Sequence, residues 1–328
     1  MLQSRLQTFR PFRAATHQRR LVVAKSAANK VDAKQLLDVA KKAAEKGAEV
    51  VLAGANKAKQ ITRKEGNDVV TDTDHAAEAV ITQVIRDAFP AHAILGEEGG
   101  VLGDVRSEYL WCLDPLDGTI NFSTGYPSFC VSVGVLRHAT PVAGCVIEFI
   151  GGGPGGVGDW KTRTFTAYRN GGAYLDGKPL CVSRTKELRD AVVATEAVYY
   201  EEQWDGLSKL YKAFTKDARG VRMSGAAAAN CCHLAMGVID AYWQYNLKPW
   251  DMAAGALILE EAGGRITTTD GLAWSVFDRS MLATNDALYE KVLAVTEPAT
   301  AKMRSAGADL GTWCVPKGYR VRGGAQLD

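Results

Sequence analysis

The sequence predicts an α+β protein of stacked helix and sheet layers in two lobes. Strand-like runs dominate the first half after two helices, whereas strands alternate with helices from about residue 190. The 328-residue chain is 47% hydrophobic, which is enough to bury a large core. We therefore expect one domain over about 32–298, with lobes at about 32–185 and 186–298 and a tail over 299–328.

Two amphipathic helices begin the predicted domain. Apolar residues recur at helical spacing over 32–62, and Lys and Glu occupy the opposite face. A break is expected at Gly66-Asn67-Asp68. The second helix is predicted over roughly 74–88, because its apolar face recurs every three or four residues and Pro90 lies just past its end.

Short strands and a hairpin are predicted next. The strand-like runs lie at 109–113, 129–136, 142–149 and 162–169. Residues 151–158 are nearly all Gly and Pro and predict a loop between two of these strands. Asp176-Gly177, flanked by strand-like residues, predicts a tight hairpin turn.

The second half alternates between the two element types. Strands are expected near 191–197 and 238–245, and a helix near 205–217. Ser224 is a candidate N-cap for a small-residue helix over 225–237. An apolar helix over about 251–262 should end at Gly263-Gly264.

The positive charges are concentrated at the start of the sequence. Residues 1–28 contain six Arg and Lys but no Asp or Glu, although the whole chain has a formal charge of only +2. This composition is typical of an organelle transit peptide, and a basic tail is the alternative. The remaining chain is acidic and lacks a basic stripe, which argues against a nucleic-acid partner. No apolar run approaches the roughly 18–20 residues of a membrane span, so we expect no membrane partner.

The most informative motif is a pair of aspartates that follows an apolar strand. Asp114 and Asp117 are separated by Pro115, which we expect to end the strand, and by Leu116. Two carboxylates with a carbonyl between them are hard oxygen ligands of the kind that Mg²⁺ prefers. Amides after Asp117 could bind an anion if a helix begins there. An ordinary Asp-Gly turn is the alternative.

Three further acidic positions occur where elements begin or end. Glu97 and Glu98 follow a short apolar stretch and could reach a metal or orient water, but paired acids are also common on solvated surfaces. Asp251 begins an apolar helix, and Asp74 lies at another helix start. Helix capping is the alternative role for both aspartates. The seven cysteines form no CxxC pair and predict reduced thiols.

Taken together, these segments resemble the inositol monophosphatase superfamily. The motifs are Gly96-Glu97-Glu98, the DPLDGTINF stretch at 114–122, and WDMAAG at 250–255 followed by EEAGG. They occur in the superfamily's order over about 33–298, and the sequence is most similar to the plastid-type inositol monophosphatase-like proteins of plants and algae. The resemblance implies a layered α-β-α-β-α sandwich, commonly a homodimer, often inhibited by Li⁺. It also favours the chloroplast stroma, with the mitochondrion as the alternative.

The resemblance assigns roles position by position. It implies two Mg²⁺ ions, with a weaker third in some members, held by Glu97, Asp114, the Leu116 carbonyl, Asp117 and Asp251. It implies that the attacking water is positioned by Asp74, Glu98 and Thr119. The implied phosphate and substrate contacts are Gly118, Thr119, Gly225, Ala226 and Gln244. Gln244 departs from the pattern, since inositol-specific relatives often have Glu there.

The resulting prediction is Mg²⁺-dependent hydrolysis of small phosphate monoesters by a metal-activated water. Myo-inositol monophosphate is the expected substrate. Histidinol phosphate, a sugar 1-phosphate and a sugar bisphosphate are alternatives. A metal-binding regulatory scaffold without catalysis is the alternative outside enzymes. The five histidines fall in no ligand spacing and receive no role.

Overall fold

Two large β-sheets and seven α-helices make up the part of the chain that the structure describes. The structure is a computed structural model. It describes residues 31–57, 59–63, 69–153, 158–196 and 204–319. The predicted transit peptide at 1–28 and the predicted break at 66–68 lie outside these ranges.

The helices are distributed along the whole domain. They are α1 Ala33–Ala55, α2 Asp72–Ala88, α3 Thr119–Thr124, α4 Trp204–Asp217, α5 Ala227–Ala235, α6 Pro249–Glu261 and α7 Tyr289–Ser305. The spacing that predicts α1 buries Leu36, Ala40, Ala44 and Val51 on one face, and Asp32 caps its first turn. None of the helices in the described ranges is both long and apolar enough to cross a bilayer.

The strands fall into one small and two large sheets. They are β1 Ile61–Arg63, β2 Val69–Thr71, β3 Ala93–Gly96, β4 Gly100–Leu102, β5 Tyr109–Asp117, β6 Phe129–Arg137, β7 Thr140–Gly151, β8 Trp160–Tyr168, β9 Ala173–Leu175, β10 Lys178–Pro179, β11 Val192–Ala194, β12 Gly220–Arg222, β13 Ala241–Tyr245, β14 Gly264–Thr267 and β15 Ser280–Asn285. The eight-stranded sheet has the order β10-β9-β8-β7-β6-β5-β3-β4, and the five-stranded sheet has the order β12-β11-β13-β15-β14.

These elements stack in five layers, as the resemblance to the superfamily implies. Helices α1 and α2 cover one face of the eight-stranded sheet. Helices α5 and α6 fill the space between the two sheets, where they share one buried core with residues of both. Helices α4 and α7 pack on the outer face of the five-stranded sheet. The order α-β-α-β-α confirms the predicted sandwich.

Helix α6 approaches the eight-stranded sheet unusually closely because two glycines lie beneath it. A Cβ on Gly134 of β6 would lie 2.7 Å from the Ala254 nitrogen. A Cβ on Gly144 of β7 would lie 2.8 Å from the Ala254 Cα. Interiors are packed as densely as organic crystals, so any side chain at either position would push the helix away. These glycines therefore set the height at which the Asp251 end of α6 sits over the sheet.

The predicted elements are largely confirmed, with differences at their ends. The helix expected over 32–62 ends at Ala55, and β1 follows it. The hairpin at Asp176-Gly177 joins β9 and β10. Helix α7 runs through the predicted boundary between residues 298 and 299, and the chain to Tyr319 remains packed on the domain. The domain and lobe boundaries otherwise stay predictions.

An uncharged histidine forms part of an aromatic stack at the edge of the domain. The His92 ring stacks on Phe89 at 4.5 Å and on Tyr109 at 4.7 Å. Its Nδ1 accepts a hydrogen bond from Trp111 Nε1 at 3.1 Å. Burial lowers the pKa of His92 to about 4, against a weaker opposing effect of Glu108. The stack therefore holds the neutral imidazole.

We expect this histidine to make the domain less stable in mild acid. Its pKa is lower in the folded state than the ordinary value of about 6.5. As the pH falls, His92 therefore binds a proton in the unfolded chain before it does so in the folded domain. The contribution of His92 to the free energy of unfolding is lost as the pH falls from about 6.5 towards 4. His92→Gln, which keeps an acceptor but does not titrate, should flatten the pH dependence of the free energy of unfolding in this window. Denaturant unfolding at several pH values measures it. The exposed His75→Gln is the control, and equal slopes for both variants would contradict the assignment.

Candidate active site

The first two predicted ligands leave neighbouring parallel strands at the same edge. Gly96 of β3 is paired with Leu113 of β5, and the Glu97 amide donates to the Leu113 carbonyl at 3.1 Å. Glu97 follows Gly96 and Asp114 follows Leu113. Because Gly96 and Leu113 are paired, the two acidic residues occupy neighbouring positions on adjacent strands. Parallel strands place their carboxyl ends together, which is why a pattern spread over 17 positions of sequence becomes one site.

Strand β5 continues through Pro115, contrary to the expectation that this proline ends it. The register shifts between Asp114, opposite Ser132, and Asp117, opposite Cys130. Such a bulge is where a strand tolerates a residue without an N–H. The Leu116 amide turns back and donates to Asp114 Oδ1 at 3.0 Å. The bulge re-aims the backbone so that both aspartates stay at the same strand end.

A tight turn then begins α3. Gly118 has a φ of 90°, and a Cβ there would lie 2.8 Å from the Ser128 carbonyl and 3.1 Å from the Gly225 carbonyl. Only glycine combines this conformation with such close neighbours. The Asn121 side chain donates to the carbonyls of Ser128 at 2.6 Å and Ser224 at 2.7 Å. The turn at 118–121 is thereby fastened to the loop at 224–226, which holds two of the predicted substrate contacts.

Asp117 caps α5 from a distant part of the chain. Its Oδ1 accepts from the Ala227 amide at 3.0 Å and its Oδ2 from the Ala228 amide at 2.7 Å. The Cys130 thiol adds a contact of 3.4 Å to Oδ2. The prediction that Ser224 is the N-cap is wrong, because α5 begins after Ala226 and the Ser224 hydroxyl contacts Asn230 instead. A carboxylate at this helix end also interacts favourably with the helix dipole.

Asp251 and Asp74 each combine a capping role with a position in the cluster. Asp251 Oδ2 accepts from the Lys248 amide at 2.8 Å at the start of α6. Asp74 Oδ2 accepts from the Thr71 amide at 2.9 Å, and its Oδ1 is 3.1 Å from the Thr119 hydroxyl. That hydroxyl is also 3.0 Å from the Leu116 carbonyl. The capping and functional interpretations are compatible because a carboxylate has two oxygens.

The charges of these acids act on one another. Burial, then the charges of Glu97, Asp117 and Asp251, raise the pKa of Asp114 well above its ordinary value. Burial and Glu97 likewise raise the pKa of Asp251, and burial raises that of Asp117 despite its hydrogen bonds. The four predicted carboxylate ligands thus lie near enough to one another for their charges to interact. Like charges concentrated in a buried place are costly unless a cation compensates them.

The donor set matches Mg²⁺ in type and charge. Every donor is an oxygen of Glu, Asp or the Leu116 carbonyl, and Asp114, Asp117 and Asp251 each keep lone pairs beyond the backbone hydrogen bonds that they accept. Across the ranges described, no three His, Cys, Asp or Glu side chains are already grouped to hold a metal ion. Asp114, Asp117 and Asp251 each point at least one oxygen at a backbone amide. The residues therefore fit the ion by the chemistry of their donor atoms, while the side chains as they lie make these amide contacts instead of forming a coordination group.

Glu78 is a supporting residue that the sequence did not single out. It is buried on α2, and its carboxylate accepts from the Glu98 amide at 2.9 Å and the Gly99 amide at 2.6 Å. It therefore fixes the backbone that carries Glu97 and Glu98. The only sequence signal is an acidic residue on the apolar face of a predicted helix, where a charge needs a partner.

The predicted substrate side is organised around Glu196. Its carboxylate accepts from the Gly225 amide at 2.8 Å and the Ser224 amide at 3.2 Å, and it contacts the Asn230 amide group. Burial raises the pKa of Glu196 to about 7. Gln244 accepts a hydrogen bond from the buried Tyr242 hydroxyl two residues earlier on β13. The Gln244 carbonyl is thus oriented from within its own strand.

The chain is similar to known proteins in both sequence and fold. A sequence model of the inositol monophosphatase family matches residues 32–301. Phosphatase IMPL1, chloroplastic, of Arabidopsis thaliana is 50% identical over 287 residues, covering 87% of this chain and 76% of that protein. Nus factor SuhB of Pseudomonas aeruginosa is 34% identical over 275 residues, covering 80% and 96%. The inositol monophosphatase structure from Anabaena (Nostoc) superposes with a TM-score of 0.67 at 33% identity, covering 80% and 95%.

The five-layer sandwich and these matches together define the class of protein as a phosphatase. The chain belongs to the inositol monophosphatase family. It is accordingly a phosphatase, and it is similar in sequence to plastid-type members.

We expect Glu78→Gln to loosen the segment that carries Glu97. The amide group keeps one acceptor for two backbone donors, so one buried N–H loses its partner. This should lower the free energy of unfolding by about 1–3 kcal/mol, as measured by denaturant titration. The exposed Glu45→Gln on α1 is the matched control, since it only loses a surface ion pair with Lys41. Equal stability of the two variants would contradict this role of Glu78.

Proposed function

We propose that this phosphatase hydrolyses small phosphate monoesters with two or three Mg²⁺ ions. The supporting observation is that Glu97 and Asp114 follow paired positions of β3 and β5, with Asp117 next on β5, and that the charges of Glu97, Asp117 and Asp251 act on Asp114. Glu97, Asp114 and the Leu116 carbonyl would hold one ion. Asp114, Asp117 and Asp251 would hold a second. Bound ions of this kind activate water and stabilise the oxygen of the leaving group.

The chain's own groups would bind the phosphate and direct the water. The amides of Gly118 and Thr119 lie at the turn where α3 begins and would donate to the phosphate oxygens. The Thr119 hydroxyl would accept a hydrogen bond from the attacking water and pass its own proton towards Asp74 Oδ1, 3.1 Å away. Glu98, whose backbone Glu78 fixes, would orient the same water.

Myo-inositol monophosphate is the substrate that we propose first. Gly225, Ala226 and Gln244 would line the polyol side. The Gln244 side-chain carbonyl accepts a hydrogen bond from the Tyr242 hydroxyl. The Gln244 N–H₂ group would then donate to a substrate hydroxyl. A Glu at this position could only accept when ionised. A neutral donor at this point also suits a sugar phosphate or histidinol phosphate, so a panel of substrates is required.

Phosphate release tests the metal-dependent mechanism. Asp117→Asn removes a negative charge that would bind the ion, and each ~1.4 kcal/mol of lost transition-state stabilisation costs about tenfold in rate. Because a metal ion supplies several kcal/mol, kcat should fall by about 100-fold or more at saturating Mg²⁺. Glu97→Gln should behave alike without disturbing the α5 cap. Asp104→Asn, an exposed residue paired with Arg106, should be unaffected.

The same assay ranks the substrates. Inositol 1-phosphate, histidinol phosphate, glucose 1-phosphate and fructose 1,6-bisphosphate are compared by kcat/KM, with and without a chelator. We expect all turnover to require the divalent ion and inositol 1-phosphate to rank first. Near wild-type rates for both acidic-site variants, or turnover in chelator, would refute the mechanism. A different leading substrate would refute only the choice of inositol.

A plastid location is proposed from the leader and from the relative named chloroplastic. Residues 1–31 fused to a fluorescent protein should direct it to the chloroplast stroma of plant or algal cells. The same segment with its five arginines changed to Gln should leave the fusion in the cytosol. Import of the native fusion into mitochondria, or its failure to enter any organelle, would overturn this proposal.

A regulatory role is the second candidate, because several relatives, that of Pseudomonas aeruginosa among them, are named as Nus factors. Absence of Mg²⁺-dependent phosphate release from every substrate in the panel would favour it. The homodimer and the Li⁺ sensitivity implied by the resemblance stay predictions, which light scattering and assay in LiCl would check.

A further inference from the structure

The segment that follows α7, residues 310–319, returns to the domain beside the start of α6. We call it the C-terminal segment. Leu310, Pro316 and Tyr319 are buried in it. The Tyr319 hydroxyl accepts from the Ala139 amide at 2.9 Å. The sequence predicts this stretch as a tail outside the phosphatase domain, whereas the structure packs it on the domain near an acidic-site element.

Trp313 makes the central contacts of this segment. Its backbone amide donates to the Phe277 carbonyl at 2.9 Å. Its indole Nε1 donates to the Leu247 carbonyl at 2.7 Å. The neighbouring Thr312 forms an isolated β-bridge with Asp278. Trp313 therefore joins the loop before β15 to the turn that leads from β13 into α6.

Arg279 also links the loop before β15 to the turn between β13 and α6. Its backbone carbonyl accepts from the Asn246 amide. Its guanidinium lies 4.3 Å from the centre of the Trp313 ring, and its Nη2 is 3.1 Å from Asp309 Oδ2. A guanidinium over an indole face is an attractive arrangement. The indole is thus held in the orientation in which its N–H meets Leu247.

The turn at 246–248 determines how Asp251 is presented. Asn246 has a φ of 60°, in the left-handed region that asparagine adopts more readily than most other non-glycine residues, so the chain turns sharply here. One residue past Leu247, the Lys248 amide donates to Asp251 Oδ2 at 2.8 Å. The charges of Lys248 and Asp251 also reach the neighbouring Cys314 thiol. A shift of the Leu247 carbonyl would therefore move the donor that orients the Asp251 carboxylate.

We propose that Trp313 is a positioning residue for the divalent-cation site, because its indole N–H fixes the Leu247 carbonyl and, through the 246–248 turn, the direction of Asp251. This inference rests on the proposed role of Asp251 as a metal ligand. A ligand displaced by a fraction of an ångström weakens Mg²⁺ binding, since this ion demands near-ideal octahedral geometry. Loss of the indole N–H should therefore weaken cation binding more than it lowers kcat.

The test compares two tryptophan variants of the full chain. Trp313→Phe keeps an aromatic face for Arg279 but removes the N–H. Trp274→Phe makes the same chemical change at an indole whose Nε1 is buried and has no hydrogen-bond partner in the described residues. Isothermal titration with MgCl₂ alone, without substrate, measures the dissociation constant. We expect about a fivefold increase for Trp313→Phe, as for one lost hydrogen bond, and less than about twofold for Trp274→Phe.

Two further readouts separate positioning from general destabilisation. The rise in melting temperature on adding MgCl₂ should shrink for Trp313→Phe only, and kcat at saturating MgCl₂ should stay near that of the unaltered chain. If Trp313→Phe does not fold, Arg279→Gln, which frees the indole, should show the same weakened binding. Equal Mg²⁺ affinity of the two tryptophan variants would overturn the inference. If the unaltered chain and Asp251→Asn bind Mg²⁺ equally, the role of Asp251 in the proposed function fails instead.

Discussion

The two hydrogen bonds between Asp117 and the first amides of α5 are the contact on which the site depends. Asp117 ends a strand of the larger sheet, and α5 belongs to the layer between the sheets. The same carboxylate caps the helix and belongs to the acidic cluster. Since α5 also carries the loop at 224–226 at its start, this contact determines where the substrate side lies relative to the proposed metal side.

The cluster illustrates a conflict between stability and function. The charges of Glu97, Asp117 and Asp251 raise the cost of ionising Asp114, and those of Glu97 and Asp117 raise the cost of ionising Asp251, so the protein without a cation bears internal repulsion. The backbone amides of Leu116, Ala227, Ala228 and Lys248 offset part of this cost. A bound cation would relieve the remainder and would thereby stabilise the folded domain by mass action. Catalysis and stability would then depend on the same ion.

Sequence reasoning predicted the layers and the acidic positions because both have local signatures. Apolar periodicity predicts α1 and α2, an apolar run ending at two glycines predicts α6, and the motifs around Asp114 and Asp251 indicate an acidic site. It failed where the cause lies far along the chain. Nothing near Ala226 shows that α5 is capped by a residue 110 positions earlier. Nothing near Pro115 shows that a bulge lets the strand continue. The contact between Trp313 and Leu247 is equally non-local, which is why the sequence pattern predicts only a tail at Trp313.

The donors that bind Asp117 are the backbone amides of Ala227 and Ala228, so side-chain substitutions at these two positions leave the donors in place. A substitution at Ala227 or Ala228 changes packing, because both are buried, but every residue except proline brings the same N–H to the same place. The anchor is therefore independent of which side chains these two positions carry. Random mutagenesis at these two positions would report the restricted volume and polarity of a buried site, and an alanine scan would detect the anchor only through Asp117→Ala, which removes the accepting carboxylate.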